Sequence, residues 1–223
     1  MTFTLRPYQQ KVVSEVYSAW ALGFRNVLAV LPTGAGKTRT FSHIIREFDG
    51  PAVAIAHRHE LVAQISLALG QAGVRHGIVA ADATIRGIVR LHMDEFGRSF
   101  YEPSARVKVA SVDTLIRVNP SEPWLSRVGL WVQDEAHHLL RANKWGAATK
   151  MLVNAQGLGV TATPCRADGL GLGLQVHVQI LQGFGFAAQF GQHQATVTPL
   201  KPGLGQKHHQ PVLHRQQAGP VFL

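Results

Sequence analysis

A single cysteine, Cys165, leaves the chain without an internal disulfide or a multi-cysteine metal site. No apolar run approaches the roughly 18 residues needed to cross a bilayer. The first ten residues, MTFTLRPYQQ, lack the apolar core of a secretory signal. These absences are those of a soluble protein, and a cytoplasmic setting is expected. Acids are scarce too: 13 Asp and Glu face 22 Lys and Arg, a formal charge of +9. Such an excess suits a polyanionic partner, although solvated basic faces give the same count. After Asp168 the acids stop altogether. Residues 169–223 carry only Lys201, Lys207 and Arg215 as basic side chains and are otherwise rich in Gln, His, Gly and Pro.

What remains is a chain of 223 residues, 46% hydrophobic, enough for one well-buried domain. Short apolar runs recur at 26–31, 52–56, 76–80, 106–110, 128–132 and 157–160, each the length of a buried strand. Helical patterns separate several of them. Residues 7–22 place Val12, Val13, Val16, Tyr17 and Trp20 at helical spacing before Gly23, and residues 38–48 and 59–69 read similarly. The stretch 84–101 has no clear period, and its Asp94-Glu95 pair follows no apolar strand, so it is read as surface. Strands alternating with helices predict a three-layer α/β sandwich around a mainly parallel sheet, with an irregular C-terminal tail.

The polar clusters fall at the ends of these strands. After the run at 26–31 comes Pro32-Thr33-Gly34-Ala35-Gly36-Lys37-Thr38. Glycines there let backbone N–H groups turn onto phosphate oxygens, Lys37 suits the β and γ phosphates, and the Thr38 hydroxyl suits Mg²⁺. The strict pattern has Gly five residues before Gly36; here Leu31 holds that place, so the loop is a variant form. After 52–56 stands Arg58, placed either for a phosphate of a bound strand or for a solvated helix start. After 106–110, Ser111 and Thr114 offer hydroxyls to a nucleic-acid backbone or to a short helix as a cap. After 128–132 come the adjacent acids Asp134 and Glu135, one suited to hold Mg²⁺ and the other to deprotonate water; acids at a helix start are the other reading. Histidines His137 and His138 follow without further metal ligands, which argues against zinc. After 157–160 come Thr161 and Thr163. Near the N-terminus, the Gln9 amide can donate to and accept from an adenine edge, while Pro7 suits the first turn of a helix.

The segments RPYQ, LPTGAGKT, AHRHELVAQ, ASVDTL, DEAH and TATP stand here in one order. In that order and spacing, residues 3 to about 170 resemble the first RecA-like domain of superfamily 2 helicases, in the DEAD/DEAH-box group that includes restriction-enzyme motor subunits. The resemblance implies an ATP hydrolase using Mg²⁺ and acting on nucleic acid, with the restriction motors pointing to DNA. It implies that Arg6 and Gln9 contact adenine, and that Thr33, Gly34, Ala35, Gly36, Lys37 and Thr38 hold the phosphates and metal. Asp134 would hold Mg²⁺ and Glu135 would act as base. His137, Thr161 and Thr163 would couple nucleotide to nucleic acid, and Arg58, with Ser111 and Thr114, would meet the bound strand. Thr161 stands where the family often has Ser, a change that keeps the hydroxyl.

One part of the family pattern is missing. A second RecA-like domain supplies arginines to the γ-phosphate, and it takes roughly 100 to 200 residues; residues 169–223 show no such alternation of strands and helices and no Arg pair. The expectation is an ATP-binding domain over 1–168 followed by a low-complexity or out-of-frame tail, with the second domain coming from another chain. A non-catalytic module that binds nucleotide and DNA is the other function class left open.

Overall fold

The computed structural model describes residues 4–138 and 143–162, and the backbone of 176–179 and 196–199. Among them are seven α-helices and eight strands. Helix α1 (Pro7–Ala21) leads to β1 (Asn26–Val30), α2 (Lys37–Glu47), β2 (Ala52–Ala56), α3 (His59–Gln71), β3 (His76–Val79) and α4 (Asp82–Phe96). Then come β4 (Val107–Ser111), α5 (Val112–Leu115), α6 (Pro123–Arg127), β5 (Leu130–Asp134), a 3-10 turn (Ala136–His138), α7 (Lys144–Lys150) and β6 (Gln156–Thr161). Each apolar run of the sequence is a strand, shifted by at most two residues. The largest shift is at β5, which extends through Gln133 and Asp134. Residues 84–101, patternless in sequence, mostly belong to α4.

The strands form one sheet in the order β3-β4-β2-β5-β6-β1, and every pairing among these six is parallel. Beyond Asp168 two short strands extend it: β7 (Val176–Gln179) runs parallel to β1, and β8 (Thr196–Pro199) pairs antiparallel to β7. A parallel sheet needs both faces covered, and its inner strands are accordingly buried and mostly apolar rather than alternating. On one face Val12 and Val16 of α1, Phe41, Ile44 and Ile45 of α2, Val62, Ile65 and Leu69 of α3 and Ile88 of α4 pack on Val27, Ala54, Val109, Val132 and Val160. On the other, Leu115, Leu125, Trp145 and Ala148 pack on Leu28, Val53, Ile55 and Trp131. This is the three-layer α/β sandwich with a mainly parallel sheet that the alternation predicts.

Two contacts fix strand positions closely. A Cβ on Gly157 would lie 2.1 Å from Cζ2 of Trp131 and 2.6 Å from Oδ1 of Asn26, so the indole of β5 lies against a backbone that only glycine supplies. Between α3 and α4, Ser66, His76 and His92 form a buried polar chain within the first core. Ser66 Oγ lies 2.6 Å from His76 Nε2 and 3.1 Å from His92 Nε2; His76 Nδ1 lies 2.9 Å from the Val74 carbonyl, and the Phe100 N–H reaches His92 Nδ1 at 3.3 Å. Burial lowers the pKa of both imidazoles, and with both neutral only one assignment satisfies all four contacts. Phe100 donates to His92, His92 to Ser66, Ser66 to His76, and His76 to Val74.

Candidate functional site

Because β1, β2, β4, β5 and β6 are parallel, their C-terminal tips share one edge, where open α/β sheets bind ligands. In sheet order that edge carries Ser111 at the end of β4, Arg58 after β2, Asp134 and Glu135 at β5, Thr161 at β6 and residues 32–38 after β1. The sequence places these residues at strand ends; the topology puts the ends side by side.

Leu31 continues from β1 by donating its N–H to the Thr161 carbonyl at 2.9 Å, and Ala35 N–H closes a turn onto the Pro32 carbonyl at 3.1 Å. Gly34 (φ 80°) and Gly36 (φ 75°) take left-handed backbone angles that side chains resist. Gly36 is the N-cap of α2, whose first turn has no acid to neutralise its positive end. Thr33 and Gly34 are exposed, Ala35 is buried, and Gly36, Lys37 and Thr38 are half-buried at the start of the helix.

Helix α1 reaches this loop from its own first turn. Gln9 is buried; its Oε1 accepts from the Arg6 N–H at 2.9 Å, and its Nε2 donates to the Ala35 carbonyl at 2.9 Å. Both ends of the amide the sequence suggested for adenine are therefore engaged with the protein. Arg6 is exposed, and its guanidinium meets the Tyr8 phenol oxygen at 3.3 Å.

Asp134 is buried at the tip of β5 and accepts from the Glu135 N–H at 3.0 Å. Burial pushes its carboxyl above the usual carboxylate range and the Glu135 charge adds to this, while the Glu135 N–H, Lys37 and His137 pull it back. In the sheet only β6 stands between β5, which ends at Asp134, and β1, which leads into the loop that bears Lys37. Glu135 has φ 53°, a strained angle for a residue with a side chain, and such strain collects at functional sites. Its Oε2 lies 3.2 Å from His137 Nδ1, which also lies 3.1 Å from the hydroxyl of buried Thr161. His137 therefore bridges Glu135 and Thr161. Thr163 lies outside the described residues.

Asp134 and Thr38 offer oxygen donors, the chemistry a hard dication takes. A buried carboxylate kept costly to ionise fits a site completed by positive charge. Asp134→Asn is accordingly expected to raise the thermal midpoint of the apo protein; a lower midpoint would contradict the account of this carboxyl.

Arg58 is exposed at the N-cap of α3, and Ser111 and Thr114 are half-buried at the start of α5, one strand further out. Not anticipated from sequence is what lies between them and Glu135. His57 packs on Trp145 with ring centroids 5.9 Å apart, and Lys144 bonds both Asp113 carboxylate oxygens at 2.9 and 3.1 Å. Burial lowers the His57 pKa, with Arg58 and Lys144 adding and Glu135 and Asp113 opposing. No local pattern signals this cluster, because Asp113 and Lys144 lie 31 positions apart. An apolar groove of about 680 Å³ between α3 and α4, lined by Ala63, Leu67, Gly87 and Leu91, shares only the start of α3 with this edge and contains none of the loop residues. Among the described residues no helix is long and apolar enough to cross a membrane.

The comparisons agree on the kind of protein. Residues 2–166 match the family described as the type III restriction enzyme, res subunit. The chain is 29% identical over 184 residues to the mitochondrial ATP-dependent helicase irc3 of Schizosaccharomyces pombe, covering 75% of this chain and 27% of that protein. The fold is similar to the UvsW helicase of bacteriophage T4 (TM-score 0.52, 18% identity, 71% of this chain and 52% of that one). It is also similar to the Hef helicase domain of Pyrococcus furiosus (TM-score 0.54, 20% identity, 78% and 37%). The chain spans only about a quarter to a half of the length of these proteins. With a RecA-like fold and this family match over residues 2–166, the chain belongs to the res-subunit family and carries the helicase-type N-terminal ATP-binding domain.

Proposed function

We propose that residues 1–168 bind ATP with Mg²⁺ where β1, β6 and β5 end, and hydrolyse it to move along or unwind a nucleic acid held where β2 and β4 end. The observation that carries this reading is the sheet order, in which the parallel strands β5, β6 and β1 end side by side, so that Asp134 and Glu135 share an edge with the Gly34–Thr38 loop. In this mechanism the Gly34–Thr38 loop and the start of α2 hold the phosphates, with Lys37 supplying a point charge. Thr38 and Asp134 would hold the magnesium, which when bound offsets charge on the phosphate oxygens. Glu135 orients the attacking water and takes its proton at Oε1. Its other oxygen, Oε2, is held by His137, whose contact with Thr161 ties the base to the end of β6. Arg6 and Gln9 remain the proposed adenine contacts; for Gln9 this requires exchanging the Ala35 carbonyl for the base.

Arg58, Ser111 and Thr114 are the proposed contacts to nucleic acid, with DNA preferred because the matched family is named for a restriction enzyme. A second RecA-like domain, contributing arginines to the γ-phosphate, completes the proposed motor. The test is a calorimetric titration of Mg-ADP into the wild type and Lys37→Ala. Loss of a charge-assisted phosphate contact of about 1.5–3 kcal/mol predicts affinity weaker by about 10- to 100-fold, and equal affinity for both proteins would sink the assignment.

A further inference from the structure

We propose that the Tyr8 hydroxyl is a positioning group for phosphate binding that acts on the loop backbone and not on the ligand. The inference rests on the reading of Gly34–Thr38 as the phosphate site. Tyr8 Oη donates to the Ala35 carbonyl at 3.0 Å, the same oxygen that accepts from Gln9 Nε2 at 2.9 Å. Gln9 Nε2 also comes within 3.4 Å of the Gly36 carbonyl. Two donors from the first turn of α1 thus converge on one peptide of a loop 26 or 27 positions away.

That peptide needs holding. A rotation of the Ala35–Gly36 unit changes ψ of Ala35 and φ of Gly36, and glycine tolerates either sign of φ. The peptide is planar and trans, so its carbonyl and N–H point in opposite directions. Fixing the Ala35 carbonyl toward α1 therefore aims the Gly36 N–H away from α1, to the side a bound phosphate would occupy. The Arg6 guanidinium, at 3.3 Å, donates to the Tyr8 oxygen, which directs the phenol proton toward Ala35 and strengthens it as a donor. Gln9 shares the carbonyl but has a proposed contact with the base, so only Tyr8 isolates the positioning role. A Cβ on Gly36 would lie 2.6 Å from Gln9 Nε2, which shows how closely the loop and α1 are fitted.

The experiment compares the full chain with Tyr8→Phe, which removes the hydroxyl and keeps the ring. Mg-ADP, Mg-tripolyphosphate and adenosine are titrated into each. Loss of one neutral hydrogen bond predicts about 3- to 10-fold weaker binding of Mg-ADP and of tripolyphosphate by the same factor, with adenosine unaffected. Unchanged affinity for tripolyphosphate overturns the proposal, as does an equal loss for adenosine, which would place the effect at the base, through Tyr8 itself or through its partner Arg6. If the wild type itself binds neither phosphate ligand, the phosphate-site reading falls together with the role of Tyr8. Should Tyr8→Phe melt at lower temperature, amide exchange decides: faster exchange confined to residues 32–38 supports positioning, and faster exchange throughout α1 overturns it.

Discussion

Replacing Glu135 by Gln is expected to slow phosphate release by a factor of about 10² to 10⁴, the span usual for loss of a general base, while Mg-ATP remains bound. The substitution keeps the size of the side chain at a residue with φ 53°, and removes its basicity together with its charge beside His137 and Asp134. Measurement is by phosphate release with single-stranded DNA, with duplex DNA and without either, alongside nucleotide affinity. Turnover that persists in Glu135→Gln would remove Glu135 from the chemistry. Turnover absent from the wild type under all three conditions, with nucleotide bound, would favour a binding module over a motor for this chain. His137→Ala should be the milder change, because it releases Glu135 Oε2 and Thr161 without removing the carboxylate.

A second large effect concerns stability. His76 is buried, and burial lowers its pKa to about 4, with the Val74 carbonyl opposing the shift and His92 adding to it; burial also lowers that of His92. In the unfolded chain an imidazole takes its proton near 6.5. Between these values the unfolded state binds more protons than the native one. The contribution of His76 is therefore complete above about pH 6.5, falls as pH drops toward 4, and changes little below that. The difference amounts to about 3 kcal/mol, a large part of the 5–15 kcal/mol that holds a typical domain folded, and His92 acts in the same direction. Asp134 acts in the opposite sense: its raised pKa favours the fold as pH falls through the native value toward the unfolded one. Denaturant unfolding from pH 7.5 to 4 checks the balance, with His76→Gln as the comparison. The variant should lose most of the slope below pH 6.5; an identical slope would place the acid sensitivity elsewhere.

Much of this was legible in the sequence, for physical reasons that differ by element. The strands of a parallel sheet are buried on both faces, so Ala52–Ala56 and residues 27–30 stand out as unbroken apolar runs. The site residues stand out because chemistry at strand tips requires polar groups immediately after such runs. The end of β5 was harder to place, since Gln133 and Asp134 are buried polar residues within the strand. Helix α4 was hidden for a related reason. Its buried face uses His92 where an apolar side chain would mark the period, and Leu91 and Met93 beside it are exposed. The directed chain through Ser66 and His76 satisfies that histidine, and no local rule reveals partners 10 and 26 positions apart. The convergence of Tyr8 and Gln9 on Ala35 was equally hidden, because the sequence shows what a side chain can donate and not which carbonyl will receive it.

The pairing of β2 directly with β5 also bears on how the proposed motor would transmit force. Arg58 leaves the tip of one of these strands and Glu135 the tip of the other, so two neighbouring strands, about 5 Å apart, link the track to the fuel. In the proposed motor, a tug on the polymer side would act on a strand whose hydrogen bonds run straight into the one bearing the proposed base. In such a motor, signalling over that span would need no lever or long relay, because the peptide ladder between β2 and β5 would itself be the transmission.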